Sequence, residues 1–491
     1  MKLSTKGRYS VTALYELALR YGKGVVPLHA IAATQGISEH YLEQLMVPLR
    51  RAGLVESVRG AQGGYTLALP PEEITIGRII TAVEGPIALV DCLLTDAEAR
   101  DQSCERAGNC VTRQIWEEVC DSINSVLNNI ALSDLVQRGH RRAVCGNPSS
   151  LHCFGQAARR GVMRAREEVA ALIGASPSEV FFTSGGTESD NWALRGLAEE
   201  RRKAGCRHIV TSAVEHPAVR ETCRDLAAHG YALTEVPVDA AGRVAPSDVA
   251  AALREDTALV TIMTANNEVG TLQPIAEIGA LLRARGIPFH TDAVQAAGHI
   301  PLDVEELHVD ALSLSAHKFC GPKGVGVLYV RRTLRIAPLL HGGAQERDMR
   351  AGTENVAGIV GCGCAAAIAR VEMGAEDVRL RAAAASLRTA LSDIDGIRFY
   401  GHREERLAGI LSFGIRDIPQ DTLLIRLDLA GFAVSGGSAC SAGAAHPSHV
   451  LCAMGCPPEE ARTAIRVSLG RFTREDDVAA FADTVRAIAK E

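Results

Sequence analysis

Lys318 is the side chain in this sequence whose position best suits covalent chemistry. It follows the apolar run 311–315 and precedes the glycine-rich turn GPKGVG (321–326). An amine at a strand end beside such a turn can reach an aldehyde cofactor and form a Schiff base. Asp292 ends an earlier apolar run, where a carboxylate would keep the ring nitrogen of a pyridoxal-type cofactor protonated. Taken alone, Asp292 is equally compatible with a helix N-cap.

The segment GGTES (185–189) has the composition of a phosphate cradle. It lies between a strand-like run and a helical run, where backbone amides and hydroxyls can bind phosphate oxygens. An ordinary capping box explains the same residues equally well. Ser315, His317 and Thr353 are further candidates for phosphate contacts.

The 14 cysteines indicate reduced thiols, ligands or nucleophiles rather than a disulfide framework. Cys440 lies in SGGSACSAG (435–443), where the small neighbours would let a nucleophile move. In isolation such a thiol is usually a small buried hydrophobe. Cys92, Cys104 and Cys110 lie in a polar loop and resemble a ligand set for an iron–sulfur cluster or for zinc.

The elements that must position these groups follow two different patterns of secondary structure along the chain. The first seventy residues predict a helix–turn–helix followed by a glycine-rich hairpin, which is a winged helix–turn–helix. After about residue 144, strands alternate with helices, which predicts an α/β fold with a mostly parallel sheet. We therefore expect domains at 1–140, 145–370 and 371–491, the last a smaller αβ domain.

Composition excludes little except a membrane protein. Hydrophobic residues make up 47% of the chain, charged residues 22%, and the formal net charge is −6. The first seventy residues differ, with eight Lys and Arg against four Asp and Glu. We find neither a signal peptide nor an apolar run long enough for a membrane span, so a cytoplasmic protein is expected.

A collinear set of motifs resembles the IscS/NifS cysteine desulfurases, within the class V aminotransferase family of fold-type-I pyridoxal-phosphate enzymes. The matching segments are GNPSSLH (146–152), FTSGGTESDN (182–191), VEHPAV (214–219), NNEVGT (266–271), HTDAVQ (290–295), SLSAHKFCGPKGVG (313–326), HGGAQERDMRAGT (341–353), SGGSACSAG (435–443) and IRVSLGRFT (465–473). The likeness implies a homodimer that converts L-cysteine to L-alanine and passes sulfur to an acceptor or scaffold protein of iron–sulfur assembly.

The resemblance also implies roles for individual residues. Lys318 would carry pyridoxal 5'-phosphate, Asp292 would pair with its ring nitrogen, and His216 would stack on the ring as a further catalytic residue. The other implied cofactor contacts are Gln295 and Asn267 at the phenolic edge and, at the phosphate, Gly186, Thr187, Ser315, His317 and, from the second subunit, Thr353. Arg466 and Asn147 would bind the substrate, with Arg466 gripping its carboxylate, and Cys440 would attack its sulfur.

One part of the desulfurase pattern is missing. The family opens with a Leu-Asp-x-x-Ala-Thr-Thr-Pro segment, and the corresponding stretch here reads NNIALSDLVQRGHRRAVC (128–145). Two alternatives follow. The chain could be a DNA-binding regulator whose impaired enzyme part serves in dimerisation or sensing, or an enzyme acting on another β-substituted amino acid such as selenocysteine. The retained pocket residues favour the desulfurase.

The N-terminal sequence resembles the iron–sulfur regulator IscR and its winged-helix relatives from residue 1 to about 137. The likeness rests on MKLSTKGRYSVTALYELAL (1–19) and on GISEHYLEQLMVPLRRAGLVESVRGAQGGY (36–65). It implies that Ser38, Tyr41 and Gln44 face the major groove of DNA and that Arg59 approaches the minor groove. A winged helix used for protein contacts is the alternative.

By the same likeness, Cys92, Cys104 and Cys110 are the three cysteine ligands of an iron–sulfur cluster, most simply 2Fe–2S. The family places a histidine three residues after the last cysteine, and that position here is Arg113. A fourth ligand would have to come from elsewhere. Zinc, or an empty set of redox-sensing thiols, remains as an alternative.

Overall fold

The computed structural model describes residues 4–58, 63–90, 93, 110–136, 146–437 and 447–490. It divides the chain into two compact units, Met1–Cys145 and Gly146–Glu491. Cys92, Cys104, Arg59 and Cys440 lie outside the described residues.

The N-terminal unit consists of helices and a short hairpin. Its elements are α1 (Thr5–Leu19), α2 (Leu28–Gln35), α3 (Glu39–Arg51), β1 (Val55–Val58), β2 (Gly64–Leu67), α4 (Ile76–Glu84), α5 (Val111–Asn128) and a helical turn at 132–136. β1 and β2 are antiparallel, with Val55 opposite Leu67. The core is formed where α1, α3 and α4 pack together.

Helix α3 shows why the sequence folds locally as it does. Ser38 caps its N-terminus by accepting a hydrogen bond from the backbone N–H of Tyr41 at 3.3 Å. The apolar side chains of Leu42, Leu45 and Leu49 recur at helical spacing and are buried. Glu43 and Gln44 between them are turned outward, whereas Met46 is buried with the leucines.

The C-terminal unit contains a seven-stranded sheet flanked by helices. Its first part comprises α6 (Cys153–Leu172), β3 (Val180–Thr183), α7 (Gly186–Arg202), β4 (His208–Ser212), α8 (Pro217–Ala228), β5 (Ala232–Val236), α9 (Pro246–Ala252), β6 (Thr257–Thr261), α10 (Ile275–Arg283), β7 (Phe289–Asp292), β8 (Ala311–Ser315) and β9 (Gly326–Val330), with short 3-10 turns at Pro177–Glu179, Ala316–Phe319 and Gln345–Asp348. The strand order is β3-β9-β8-β7-β6-β4-β5, and only β9 runs antiparallel to its neighbours. The expected mostly parallel sheet is thus built by strands that all follow residue 179.

A smaller layer follows the sheet. It consists of α11 (Val356–Leu391), β10 (Ile397–Tyr400), β11 (Ile410–Ile415), α12 (Gln420–Leu429), α13 (His449–Ala453), α14 (Pro458–Ala461), β12 (Ala464–Ser468) and α15 (Glu475–Lys490). β10, β11 and β12 form an antiparallel sheet in that order. The boundary expected at residue 370 falls inside α11, which runs unbroken from the large sheet layer into the small one.

Helix α11 is, among the described helices, the one long and apolar enough to cross a membrane by length and composition. Its N-terminal half packs along α6 and buries Ile359, Cys362 and Ala366. Ile368, Val371 and Val378 of the same helix are exposed, so its apolar residues are only partly covered within the described part of the chain.

Candidate active site

The predicted cofactor residues meet at one edge of the large sheet. Asp292 is the last residue of β7, Ser315 is the last residue of β8, and Asn267 and His216 follow β6 and β4. Because the carboxyl ends of parallel strands lie at the same edge, residues far apart in sequence converge there. This convergence creates the site.

Asp292 and His216 form the charged centre of this edge. A carboxylate oxygen of Asp292 and a ring nitrogen of His216 lie within 4.8 Å of each other. Burial raises the pKa of Asp292, and the neighbouring charges of His216 and Lys318 act in the opposite direction. The Oδ1 atom of Asp292 accepts the N–H of Val294 at 2.9 Å within a turn rather than at a helix start. The N-cap alternative for Asp292 is therefore wrong.

His216 is held in one orientation by the helix that follows it. Its ring nitrogen Nδ1 accepts the N–H of Ala218 at 3.1 Å as the N-cap of α8. Burial lowers the pKa of His216, while Asp292 raises it and Lys318 lowers it. A neutral imidazole with Nδ1 occupied leaves Nε2 as its free nitrogen.

The glycine-rich turn before α7 lies against the ends of β7 and β8. A Cβ atom added to Gly186 would lie 2.7 Å from Val294 Cγ2 and 3.6 Å from Ser315 Cβ. Ser315 Oγ lies 2.9 Å from His317 Nδ1, so the turn faces a hydroxyl and an imidazole. The N-cap residue Gly185 has no side-chain cap, which argues against the plain capping box. These groups fit a phosphate.

Glu188, in the first turn of α7, stabilises the glycine-rich turn that precedes this helix. Its carboxylate accepts the backbone N–H of Ser184 at 2.8 Å and two hydrogen bonds from Arg350 at 2.8 and 3.0 Å. Hydrogen bonds from Arg350 and Ser184 lower the pKa of Glu188 although burial raises it. The bidentate pair ties the segment 341–353 to the start of α7.

A cavity of about 440 Å³ opens beside Lys318. Its polar lining includes Gln295, His317 and Arg466, the last from β12 of the small layer. The Nη1 atom of Arg466 donates to the carbonyl oxygen of Asn267 at 2.7 Å, whereas its buried Nε has no hydrogen-bond partner among the described residues. Burial lowers the pKa of Arg466. An incompletely satisfied guanidinium in a cavity fits a carboxylate ligand.

Both described flanks of the segment carrying Cys440 are attached beside this cavity. On one side, Ser435 pairs with Arg466 through two backbone hydrogen bonds of 3.2 and 2.6 Å. On the other, Ser448 Oγ donates to Glu268 Oε2 at 2.5 Å. Gly437 also approaches Glu268 so closely that a Cβ atom there would lie 2.9 Å from Oε2. Gly437 and Ser448, the described residues on either side of this segment, therefore both lie against Glu268.

Three predicted site residues lie at the surface of this chain. Thr187 and Asn147 are exposed, and the side-chain oxygen of Asn147 accepts the N–H of Ser149 at 2.9 Å. Thr353 is also exposed and does not line the described cavity. A contact of Thr353 with the cofactor of a second subunit remains a prediction.

In the N-terminal unit, the predicted DNA contacts lie on α3. Gln44 is exposed, and its amide nitrogen lies 3.2 Å from the ring of His40. Tyr41 is half-buried and packs edge-on against Tyr9, with 5.9 Å between ring centroids. Cys110 is the N-cap of α5, and hydrogen bonding from Thr112 lowers the pKa of its thiol.

Sequence reasoning missed three buried ionisable residues beneath the site. Asp190, Glu215 and His290 are each at most 1% exposed. They lie inside the motifs quoted above, but their burial could not be inferred from the motifs alone. A charged residue within an otherwise buried strand or helix start was the available signal.

Comparison with known families decides the identity of the larger unit. Residues 136–481 match the family model described as aminotransferase class-V. The chain belongs to this family. Residues 3–138 match the Rrf2 model, described as an iron-dependent transcriptional regulator.

Several curated relatives of this class-V aminotransferase family member carry the name cysteine desulfurase. The chain is 46% identical over 346 residues to cysteine desulfurase IscS of Methanosarcina thermophila, covering 70% of this chain and 85% of the relative. It is 47% identical over 347 residues to cysteine desulfurase IscS of Dictyoglomus turgidum, covering 70% and 88%.

Solved structures agree. A NifS-like protein is 39% identical with a TM-score of 0.67, covering 72% of this chain and 95% of that one. DndA from Streptomyces lividans is 37% identical with a TM-score of 0.59, covering 68% and 95%. The predicted fold class, the fusion of an IscR-like regulator with an IscS/NifS-like enzyme, and the assignment as an enzyme of the cysteine desulfurase type are confirmed. The family also supports pyridoxal phosphate as cofactor.

The glycine turn provides a test of the phosphate cradle. We expect Gly186→Ala to bind pyridoxal phosphate about tenfold more weakly, because such overpacking costs about 1–3 kcal/mol. Cofactor titration of the apoprotein measures this. Adding Val294→Ala removes the obstructing methyl groups and should restore affinity, and Gly374→Ala, with no neighbouring atom within 4 Å, is the matched control. Unchanged affinity in Gly186→Ala would exclude the cradle.

Proposed function

We propose that this protein is a pyridoxal-phosphate-dependent cysteine desulfurase of the cytoplasm, joined to a cluster-sensing, DNA-binding regulator. The observation that carries the enzyme assignment is the cavity between Lys318 and Arg466, beside which both flanks of the Cys440 segment are attached. An amine and a guanidinium that can bind a carboxylate thus line one cavity, as a single amino-acid substrate would require. The 14 cysteines, read as reduced thiols, support the cytoplasmic location.

The residues at the sheet edge fit pyridoxal phosphate. Lys318 would be the covalent anchor, the Gly186 turn with Ser315 and His317 would hold the phosphate, and Asp292 would pair with the ring nitrogen. When bound, the cofactor supplies an electron sink for the carbanion formed as the substrate Cα loses its proton. His216 would stack on the cofactor ring, and Gln295 and Asn267 would contact its phenolic edge.

The substrate L-cysteine is held by its carboxylate. Arg466 has one nitrogen engaged with Asn267 and another buried without a described partner, so a bidentate carboxylate completes its hydrogen bonds. Asn147 contributes a further substrate contact. A neutral His216 whose Nδ1 accepts the N–H of Ala218 carries its proton on Nε2, and this N–H can donate a hydrogen bond near the substrate.

Cys440 receives the sulfur. Its thiolate attacks the substrate sulfur, the Cβ–S bond breaks, and the bonding electrons pass to the carbon framework. Protonation of Cβ and return of a proton to Cα yield L-alanine, and Cys440 carries the transferred sulfur as a persulfide. Glycines and serines around Cys440 let the persulfide travel from the cavity to an acceptor or scaffold protein of iron–sulfur assembly.

We further propose a homodimer. Helix α5 exposes Ile115, Val119 and Val126 along one face, and apolar residues in a row at helical spacing are stabilised by burial. A second copy would cover this face. In the same assembly Thr353, exposed in one chain, would reach the phosphate of the partner.

Replacement of Cys440 tests the enzyme. We expect Cys440→Ser to retain bound cofactor and its visible absorbance. Its rate of alanine and sulfide formation from cysteine should fall by at least about 100-fold, because the sulfur acceptor is lost. Cys364→Ser, at an exposed position on α11, is the control. If the unaltered protein binds cofactor but forms no alanine, the regulator with an impaired enzyme part becomes the better assignment.

The N-terminal unit supports DNA binding through α3. Its exposed face carries Ser38 and Gln44 while its apolar face is buried, and amide side chains read adenine edges in the major groove. Arg50 and Arg51 in the last turn supply phosphate contacts. Arg59 would approach the minor groove from the turn between β1 and β2.

Selection from a random duplex library would define the operator and test α3. Gln44→Ala should weaken operator binding about tenfold while leaving nonspecific binding unchanged, because one base contact is lost. Arg51→Ala should weaken binding to all sequences and reduce the salt slope by about one. Equal loss on operator and random DNA in Gln44→Ala would contradict base reading.

Cys92, Cys104 and Cys110 are proposed as ligands of a 2Fe–2S cluster. The lowered pKa of Cys110 favours the thiolate, which is the form that binds metal. Loss or gain of the cluster at the N-terminus of α5 would then alter DNA binding.

Anaerobic purification tests the cluster. The unaltered protein should contain iron and acid-labile sulfide, and alanine at Cys92, Cys104 or Cys110 should reduce both to background, because a ligand is removed. Cys153→Ala, an exposed thiol of the other unit, should retain the full content. Zinc in place of iron would indicate a structural site, and neither metal would indicate free sensing thiols.

A further inference from the structure

Asp190 lies buried under the proposed cofactor site, although nothing in the desulfurase chemistry above uses it. It belongs to the second turn of α7, is 1% exposed, and has an oxygen within 4.8 Å of a carboxylate oxygen of Asp292. Its Oδ1 atom has no hydrogen-bond partner among the described residues. A buried carboxyl group in this situation is stable only if it is protonated or paired with a cation.

The nearest basic group does not supply that cation. The Nε2 atom of His290 lies 3.7 Å from Asp190 Oδ1. The two ring nitrogens of His290 lie 2.9 Å from Thr261 Oγ1 and 3.0 Å from Ser313 Oγ. A neutral imidazole can make both of these hydrogen bonds. Burial lowers the pKa of His290 to about 3. His290 is thus a neutral neighbour of Asp190.

The two carboxyl groups have opposite surroundings. Asp292 receives the N–H of Val294 and faces His216 and Lys318. Asp190 faces the carboxyl groups of Asp292 and Glu215, and burial together with these neighbours raises its pKa well above the usual range. Two negative charges about 5 Å apart repel by roughly 3 kcal/mol at an effective dielectric constant near 20. Only one of the two can therefore ionise without a large cost.

We propose that Asp190 and Asp292 form a proton-sharing carboxyl pair in which Asp190 holds the proton and Asp292 holds the charge. Asp190 is then a positioning residue: by staying neutral, it lets Asp292 present a full negative charge to the cofactor ring nitrogen. The role of Asp292 in this inference rests on the proposed pyridoxal chemistry, whereas the shared proton does not.

The groups around Asp190 set which neighbours can affect its titration. Those that face it from the packed elements are Glu215 after β4, His216 before α8, Cys223 on α8, His290 and Asp292 on β7, Ser313 on β8, and Lys318 beyond them. Burial raises the pKa of Glu215 to about 8 and keeps the thiol of Cys223 protonated. Among the described groups around Asp190, Asp292 is therefore the one to which the proposal gives a negative charge at neutral pH.

Infrared difference spectroscopy of the holoenzyme reads this proton directly. The spectrum of the unaltered protein minus that of Asp190→Asn should show the carbonyl stretch of a protonated carboxylic acid at neutral pH, shifted by deuterium. Asp225→Asn, which removes a half-exposed surface carboxylate, should show carboxylate bands alone. Carboxylate bands from Asp190 would overturn the proposal.

A second variant tests the coupling and guards against misfolding of the first. In Asp292→Asn the neighbouring charge is gone, so the acid band of Asp190 should titrate away at a lower pH than in the unaltered protein. An unchanged titration would overturn the pair. Failure of the desulfurase assignment is separately visible: no alanine would form from cysteine, while the infrared bands would still report whether Asp190 carries the proton.

Discussion

The proposed site depends on the charge state of Asp292, a carboxyl group buried at the edge of a parallel sheet. A carboxylate removed from water is costly unless cations and hydrogen-bond donors surround it. The fold provides a backbone N–H, an imidazole and the lysine ammonium from three different strand ends. The same requirement explains why the other acids of this region, Asp190 and Glu215, are placed where burial favours their neutral forms.

The small layer contributes a side chain to the site at the edge of the large sheet. Arg466 on β12 binds the carbonyl of Asn267, and its backbone pairs with Ser435. Glu268, which follows Asn267 in the sequence, accepts a hydrogen bond from Ser448, a residue on the C-terminal side of the Cys440 segment. Two adjacent positions of one loop, Asn267 and Glu268, thus contact Arg466 of the small layer and Ser448, the latter a described residue beside the Cys440 segment.

The family's missing opening segment removes no strand from the large sheet described here. All seven strands come from residues 180–330, and the groups proposed to hold the cofactor follow those strands. The regulator unit that precedes them has its own apolar core. A chain with two independently packed cores can carry an enzyme and a regulator without either core depending on the other.

The sequence alone determined the local elements and the chemical types. Strand-like runs such as 180–183 and 311–315, the buried spacing of Leu42, Leu45 and Leu49, and the motif around Lys318 were readable because side-chain period and glycine placement are local properties. The tertiary structure decided which of these groups meet. Asp190 approaches Asp292, and Arg466 reaches Asn267, across long stretches of chain. Burial and the resulting charge states arise only from such packing, because a residue's own sequence neighbours do not set the dielectric or the charges around it.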